Sequence, residues 1–194
     1  MNQLVAQAAE LQRIVDARGW RSCIIGGLAV VRWGEPRLTR DVDITLFTGF
    51  GAEEPIARAL LELFEARIQD ALEFAMVNRV LLLQGSSGVP IDIALAGFPF
   101  EEEIIDRAST FEYLPGIALR TASAEDVIVL KAFANRRRDW SDIAGIIARQ
   151  RSLDWDVIVA RLSPLVELKG ESEILIELDR VRAESEEVRP YDSR

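Results

Sequence analysis

Two aspartates spaced two residues apart, Asp41 and Asp43, stand at the head of an apolar run, Val42 to Phe47, that reads as a β-strand. Alternate strand residues point to one face, so Asp41 and Asp43 project together, away from Val42, Ile44 and Leu46. Two strand rises of about 3.3 Å would put their Cα atoms about 6.7 Å apart. Side chains flexing from there reach a pair of divalent ions about 3.5–4 Å apart, the spacing of two-metal phosphoryl-transfer sites. Asp92, in Val89-Pro90-Ile91-Asp92-Ile93, repeats the pattern, with Val89, Ile91 and Ile93 on one face and Asp92 on the other. If the two strands are neighbours, three carboxylates converge, and a hard, oxygen-only cluster suits Mg²⁺ or Mn²⁺. Polar-out alternation on half-exposed strands accounts for any one of these residues. It accounts less well for three, because Asp is depleted in strands and costs stability there.

The elements that must hold these acids begin with a short buried strand, Ser22 to Ile25, a Gly26-Gly27 turn and a helix, Leu28 to Trp33. A glycine pair at a helix start lets backbone approach a triphosphate, although an ordinary tight turn has the same spelling. Arg37 and Arg40 flank the acidic strand; they either hold a phosphate or pair with Asp41 and Asp43.

Gly26-Gly27, a short helical stretch, Arg37-x-Thr39-x-Asp41-x-Asp43 and a later strand aspartate together resemble the nucleotidyltransferase superfamily of DNA polymerase beta and the kanamycin-type enzymes. The Gly-Gly start and the Arg-x-Thr-x-Asp-x-Asp spelling are most similar to the AbiEii-type toxin nucleotidyltransferases. Many superfamily members carry Gly-Ser where this chain has Gly26-Gly27, a departure that removes a phosphate-binding hydroxyl and leaves backbone N–H groups for that work. The resemblance implies an α/β (α+β) fold, a small mixed sheet carrying the acids and then a helical bundle, with the Asp92 hairpin abutting the Asp41 strand. It implies metal-dependent transfer of a nucleoside monophosphate from a nucleoside triphosphate, ATP among them, to an acceptor hydroxyl, with release of pyrophosphate. Asp41 and Asp43 would bind Mg²⁺ or Mn²⁺, and Asp92 would share one ion and accept the acceptor's proton. Gly26, Gly27, Arg37, Arg40 and Lys131 would bind the nucleotide. Asp139 and Asp142, in Lys131-x4-Arg136-Arg137-Arg138-Asp139-x2-Asp142, would order the helix junction and its basic side chains; a surface turn with dipole-friendly charges is the plainer account of that segment. A toxin-like tRNA acceptor and a partner antitoxin are expectations of the same kind, with a protein or small-molecule hydroxyl as other acceptors. The competing class is a non-catalytic nucleotide-binding or toxin–antitoxin interaction module of the same fold.

Composition narrows the chemistry. The 194 residues contain no histidine and one cysteine. Histidine bases and ligands, Cys-based zinc sites and an internal disulfide are therefore excluded. Cys23 sits in an apolar run, which suits a buried thiol in a reducing cytoplasm. The longest apolar run, Ile24 to Val31, falls far short of the roughly 20 residues that span a bilayer, and Met1-Asn2-Gln3-Leu4 has no secretory pattern. We expect a cytoplasmic protein with no membrane partner. Rival motifs fail on particular residues. An EF-hand loop starting at Asp41 would put Leu46 where glycine belongs and Ala52 where glutamate belongs. Gly49-x-Gly51 meets Glu54 at the third glycine position of a dinucleotide fingerprint, and no P-loop occurs.

Hydrophobic periodicity predicts helices over Asn2 to Arg18 and Glu53 to Ile68, a strand over Phe74 to Val77, and hairpins from Arg79 to Gln84 with Val89 to Leu95 and from Phe111 to Leu114 with Ile117 to Arg120. Pro99 to Ala108 reads as an acidic helix or loop. Helices follow from Ser123, then over Trp140 to Gln150, Asp154 to Leu165 and Glu171 to Glu186. We expect a catalytic core over 1–121 and a helical region over 122–194 packed on it. The formal charge is −9, which disfavours non-specific binding to nucleic acid. Yet residues 131–151 carry Lys131, Arg136, Arg137, Arg138, Arg149 and Arg151 against Asp139 and Asp142, a local charge of +4. Such asymmetry suits an RNA contact through Arg136, Arg137 and Arg138. The other use of those arginines is pairing with Glu173, Glu177, Asp179 and Glu184 of the last helix.

Overall fold

The computed structural model describes residues 1–187; the end of the expected helical region, 188–194, lies outside the described residues. These residues form two compact units, one of Met1–Ala29 with Leu38–Ser123, the other of Val30–Arg37 with the helices from Ala124 onward.

The first unit is built on a mixed sheet. In chain order its strands are β1 (Ser22–Ile24), β2 (Val42–Phe47), β3 (Glu65–Ala66), β4 (Val80–Gln84), β5 (Pro90–Ala96), β6 (Ser109–Leu114) and β7 (Ile117–Thr121). Among the described residues they make one seven-stranded sheet, ordered β3-β4-β5-β2-β1-β7-β6. The register around β2 positions the acids. β1 runs antiparallel to it, with Ile24 opposite Ile44. β5 runs parallel to it, with Val42 opposite Ile91 and Asp43 opposite Asp92. Alternation does the rest: Val42, Ile44, Leu46, Ile91, Ile93 and Leu95 are buried in one core, while Asp43 and Asp92 between them keep some exposure. Each fully buried Ile or Leu contributes about 1.5–3 kcal/mol, so a one-residue slip that exposed this set would cost far more than two aspartates gain.

Helix α1 (Asn2–Ala17) covers that apolar face with Leu4, Val5, Ala8, Leu11 and Val15, a spacing of three and four that puts them on one stripe. Gly19, at φ +69°, follows the helix end. Helix α3 (Glu53–Leu61) adds Ala57 and Leu60. It ends earlier than the pattern to Ile68 predicts, because Glu65 and Ala66 leave it to pair with Gln84 and Leu83 at the sheet edge. The predicted strand Phe74–Val77 is instead part of helix α4 (Ala71–Asn78). Four apolar residues cannot distinguish the two periods; Ala71 and Ala75, one turn apart and both buried, choose the helix. Arg79, at φ 54°, stops it. Helix α5 (Pro99–Asp106) opens with proline in its first turn and with Glu101 accepting from the Gly97 and Phe98 N–H groups at 2.8 and 2.9 Å.

The second unit packs α6 (Ala124–Ala134), α7 (Arg137–Arg149), α8 (Trp155–Lys169) and α9 (Glu173–Glu187) around Val127, Ile128, Ile143, Ile146, Ile147, Ile158, Leu162, Ile174 and Leu178. Asp154 caps α8 by accepting from Val157 N–H at 3.1 Å, and Gly170 ends it at φ +72°. Residues 30–37 belong here: the Arg149 and Gln150 side chains donate to the Gly34 and Trp33 carbonyls at 3.0 and 2.6 Å. No described helix is long and apolar enough to cross a membrane.

Candidate active site

β1 and β2 bring a helix start against an acid. Because Ile24 lies level with Ile44, the chain leaving β1 turns beside Asp43, and Ile25 N–H donates to the Asp43 carbonyl at 2.9 Å. Helix α2 (Gly26–Trp33) begins at once. Its first residues lie so close to their neighbours that no side chain fits. A Cβ on Gly26 would stand 2.0 Å from Asp43 Oδ2, and one on Gly27 would stand 2.1 Å from Thr39 Oγ1. Gly26 is also at φ +56°, a conformation that L-residues avoid. The Gly27 N–H donates to Asp43 Oδ2 at 3.2 Å, one of the four N–H groups that a helix start leaves without intrahelical partners. Tyr113 donates from its hydroxyl to the Leu28 carbonyl at 2.8 Å, tying α2 to β6.

The three predicted acids lie on, or just before, the paired strands β2 and β5. Asp43 lies on β2, and Asp92 is its register partner on β5; neighbouring strands are about 4.8 Å apart and paired parallel residues share a face. Asp41 lies in a bend just before β2 rather than within it. Its Oδ1 accepts from Thr39 Oγ1 at 3.2 Å. Asp92 Oδ1 accepts from Arg67 Nη2 at 2.5 Å, both side chains being about one third exposed. Each carboxylate is thus held by a different neighbour, and among the described residues no three acids form a ready-made metal cage. The donor set nevertheless fits a hard divalent ion: partly exposed carboxylate oxygens, two of them on register-paired residues, with no nitrogen or sulfur ligand among them.

Arg37 and Lys131 belong to the second unit. Arg37 faces Asp142 with Nε 2.7 Å from Oδ1 and donates from Nη2 to Oδ2 at 3.0 Å. Lys131, 8% exposed, reaches Asp142 Oδ2 at 2.7 Å and donates to Asp139 Oδ1 at 2.8 Å. Arg136 Nε donates to Asp139 Oδ2 at 2.7 Å. Burial alone would raise the Asp139 carboxyl; the hydrogen bonds from Arg136 and Lys131 outweigh it and hold the group below its ordinary range. Arg40, Arg136, Arg137 and Arg138 are exposed. Glu177 and Glu184 of α9 take Arg180 as their partner.

Thr39 and Arg67 were given no role by the sequence. Thr39 stands in the motif, but its burial beside Asp41 depends on the fold and not on spacing. Nothing marks Arg67, which reaches Asp92 only because β3 and β4 fold it back there.

The fold is shared with solved nucleotidyltransferase structures. The chain is similar to an antigenic nucleotidyltransferase-like protein from Paracoccidioides brasiliensis, at 16% identity over 92% of this chain and 93% of that one, with a TM-score of 0.55. It is similar to the lincosamide antibiotic adenylyltransferase LnuA, solved with lincomycin bound, at 12% identity over 75% and 97%, with a TM-score of 0.53. The solution structure of the antibiotic-resistance factor ANT(2″)-Ia matches at 16% identity over 96% and 92%, with a TM-score of 0.51. No curated protein matches the sequence. The model of the nucleotidyl transferase AbiEii toxin family, of type IV toxin–antitoxin systems, matches residues 24–189. The chain belongs to this family and is a nucleotidyltransferase.

Proposed function

We propose that the protein moves a nucleoside monophosphate from a nucleoside triphosphate to an acceptor hydroxyl. The acceptor oxygen forms a bond to the α-phosphorus, the bond from that phosphorus to the bridging oxygen breaks, and pyrophosphate leaves. The observation that carries this reading is the packing of Gly26 and Gly27 against Asp43 and Thr39, which sets a helix start directly beside two register-paired aspartates. Helix N–H groups and the helix dipole suit the phosphates. Asp41, Asp43 and Asp92 would hold Mg²⁺ or Mn²⁺, whose charge screens the phosphates and stabilises the charge developing on the leaving group. Asp92 is the group offered to the acceptor's proton, since the chain has no histidine. Arg67 must then release its carboxylate when substrate binds. Lys131 has its charge engaged by Asp139 and Asp142; in this reading it orders the α6–α7 junction before it serves any phosphate.

Family membership supports a partner antitoxin, and the exposed Arg136, Arg137 and Arg138 support an RNA acceptor such as tRNA. Incubation with each α-labelled nucleoside triphosphate, Mg²⁺ and separate RNA, protein and aminoglycoside acceptors tests the proposal. Label is expected in the RNA fraction. Label in another fraction replaces the acceptor, and label in none contradicts transfer to these three classes.

A further inference from the structure

The space over Gly27 is filled by a hydroxyl from elsewhere in the chain. A Cβ on Gly27 would stand 2.1 Å from Thr39 Oγ1 and 2.8 Å from Thr39 Cβ. Gly27 is not among the positive-φ residues, so its missing side chain answers to Thr39 and not to the backbone. Thr39 is 9% exposed, and its Oγ1 donates to Asp41 Oδ1 at 3.2 Å. The hydroxyl therefore stands at the α2 start, between the Gly27 backbone and the first acid. A valine has the same shape and would fill the same volume; only the hydroxyl adds a donor there.

We propose that Thr39 is a nucleotide-binding residue, whose hydroxyl supplies the phosphate contact that Gly27 cannot carry. The proposal rests on the nucleotidyl-transfer reading above. An ionised carboxylate only accepts, so the Thr39 O–H must donate to Asp41 in the free protein. A phosphate oxygen is likewise an acceptor. When Asp41 turns to a divalent ion, rotation about the Thr39 Cβ–Oγ1 bond lets the same proton serve a phosphate oxygen lying against the helix start. Thr39 thus has a partner in both states, and the buried hydroxyl is never left unsatisfied.

The test is titration of the 194-residue chain with non-hydrolysable analogues of the four nucleoside triphosphates in Mg²⁺, beside a melting curve without ligand. Thr39→Val is expected to melt near the wild type and to bind roughly ten- to a hundredfold more weakly, the effect of losing a hydrogen bond to a charged group. Thr39→Ser is expected to bind like the wild type. The decisive arm moves the hydroxyl. Thr39→Gly loses it and clears both atoms that crowd position 27, and adding Gly27→Ser restores a hydroxyl at the helix start. Gly27→Ser/Thr39→Gly is expected to recover most of the affinity that Thr39→Gly loses. Wild-type affinity in Thr39→Val overturns the proposal. So does a folded exchange variant that binds no better than Thr39→Gly, which would leave Thr39 serving Asp41 alone. If the exchange variant does not fold, the valine and serine pair decides. A wild type that binds none of the analogues defeats the nucleotidyl-transfer reading itself, which is a different result from any of these.

Discussion

A methyl group at Gly26 would meet Asp43 Oδ2 at 2.0 Å, from a backbone already at φ +56°. Gly26→Ala therefore combines two penalties: about 1–2 kcal/mol for an L-residue in the left-handed region, and displacement of the Asp43 carboxylate. Gly19 is the control, because it has φ +69° and nothing within 4 Å of a Cβ. Gly19→Ala should show the backbone penalty alone. Denaturant unfolding of the two variants should therefore show a larger loss at Gly26, and only Gly26→Ala should lose stabilisation by Mg²⁺ and nucleotide. Equal losses and intact ligand binding in both would mean that Gly26 is an ordinary turn residue. Asp92→Asn makes a second prediction at this scale. The side chain is one third exposed, and its partner Arg67 can turn to solvent, so stability should change by less than about 1 kcal/mol. Turnover should fall at least about 10²-fold if Asp92 takes part in the chemical step.

At the scale of elements, the α6–α7 junction gathers Arg37, Lys131, Asp139 and Asp142 into a buried network. Lys131→Met removes one charge and leaves two buried acids short of a partner. Breaking such a network costs about 3–5 kcal/mol, a large share of a domain's 5–15 kcal/mol. Acid should act on the same network. The Asp139 carboxyl is held low in the folded protein, so the unfolded chain binds its proton first. The stability this group adds is present above the ordinary carboxylate range and is lost as pH falls through that range towards the lowered value. Melting temperature followed from pH 6 down to about 2 should fall less steeply in Asp139→Asn than in the wild type; parallel slopes would remove Asp139 from the acid response.

These elements also show how far the sequence could be read. The period of two around Asp43 and Asp92 and the turn at Gly26-Gly27 are local, so spacing and residue type sufficed. That β2 and β5 are parallel neighbours in a register matching Asp43 to Asp92 is a long-range fact; only the family resemblance implied the adjacency. The short segments failed for the opposite reason. Phe74–Val77 was too brief to show its period, and α3 was cut short by an edge pairing that its own sequence does not announce. The burial of Lys131 depends on carboxylates brought in by the next helix, which a reading of exposed basic residues cannot see.

For the whole molecule, a charge of −9 with a positive stretch over residues 131–151 sets a test by salt. If RNA is the acceptor, Arg137→Glu/Arg138→Glu should weaken its binding and flatten the dependence on salt by roughly one unit of slope per lost phosphate contact. A lower melting temperature with no measurable RNA binding in the wild type would assign those arginines to folding. Transfer at the acids beside the α2 start is tested by covalent labelling. Wild type and Asp41→Asn/Asp43→Asn, both shown to be folded, are given α-labelled nucleoside triphosphate, Mg²⁺ and the acceptor panel, and covalent label is counted. Labelled acceptor and released pyrophosphate are expected from the wild type, with at least about a 10²-fold loss in the double variant. Undiminished labelling by a folded Asp41→Asn/Asp43→Asn protein would contradict it.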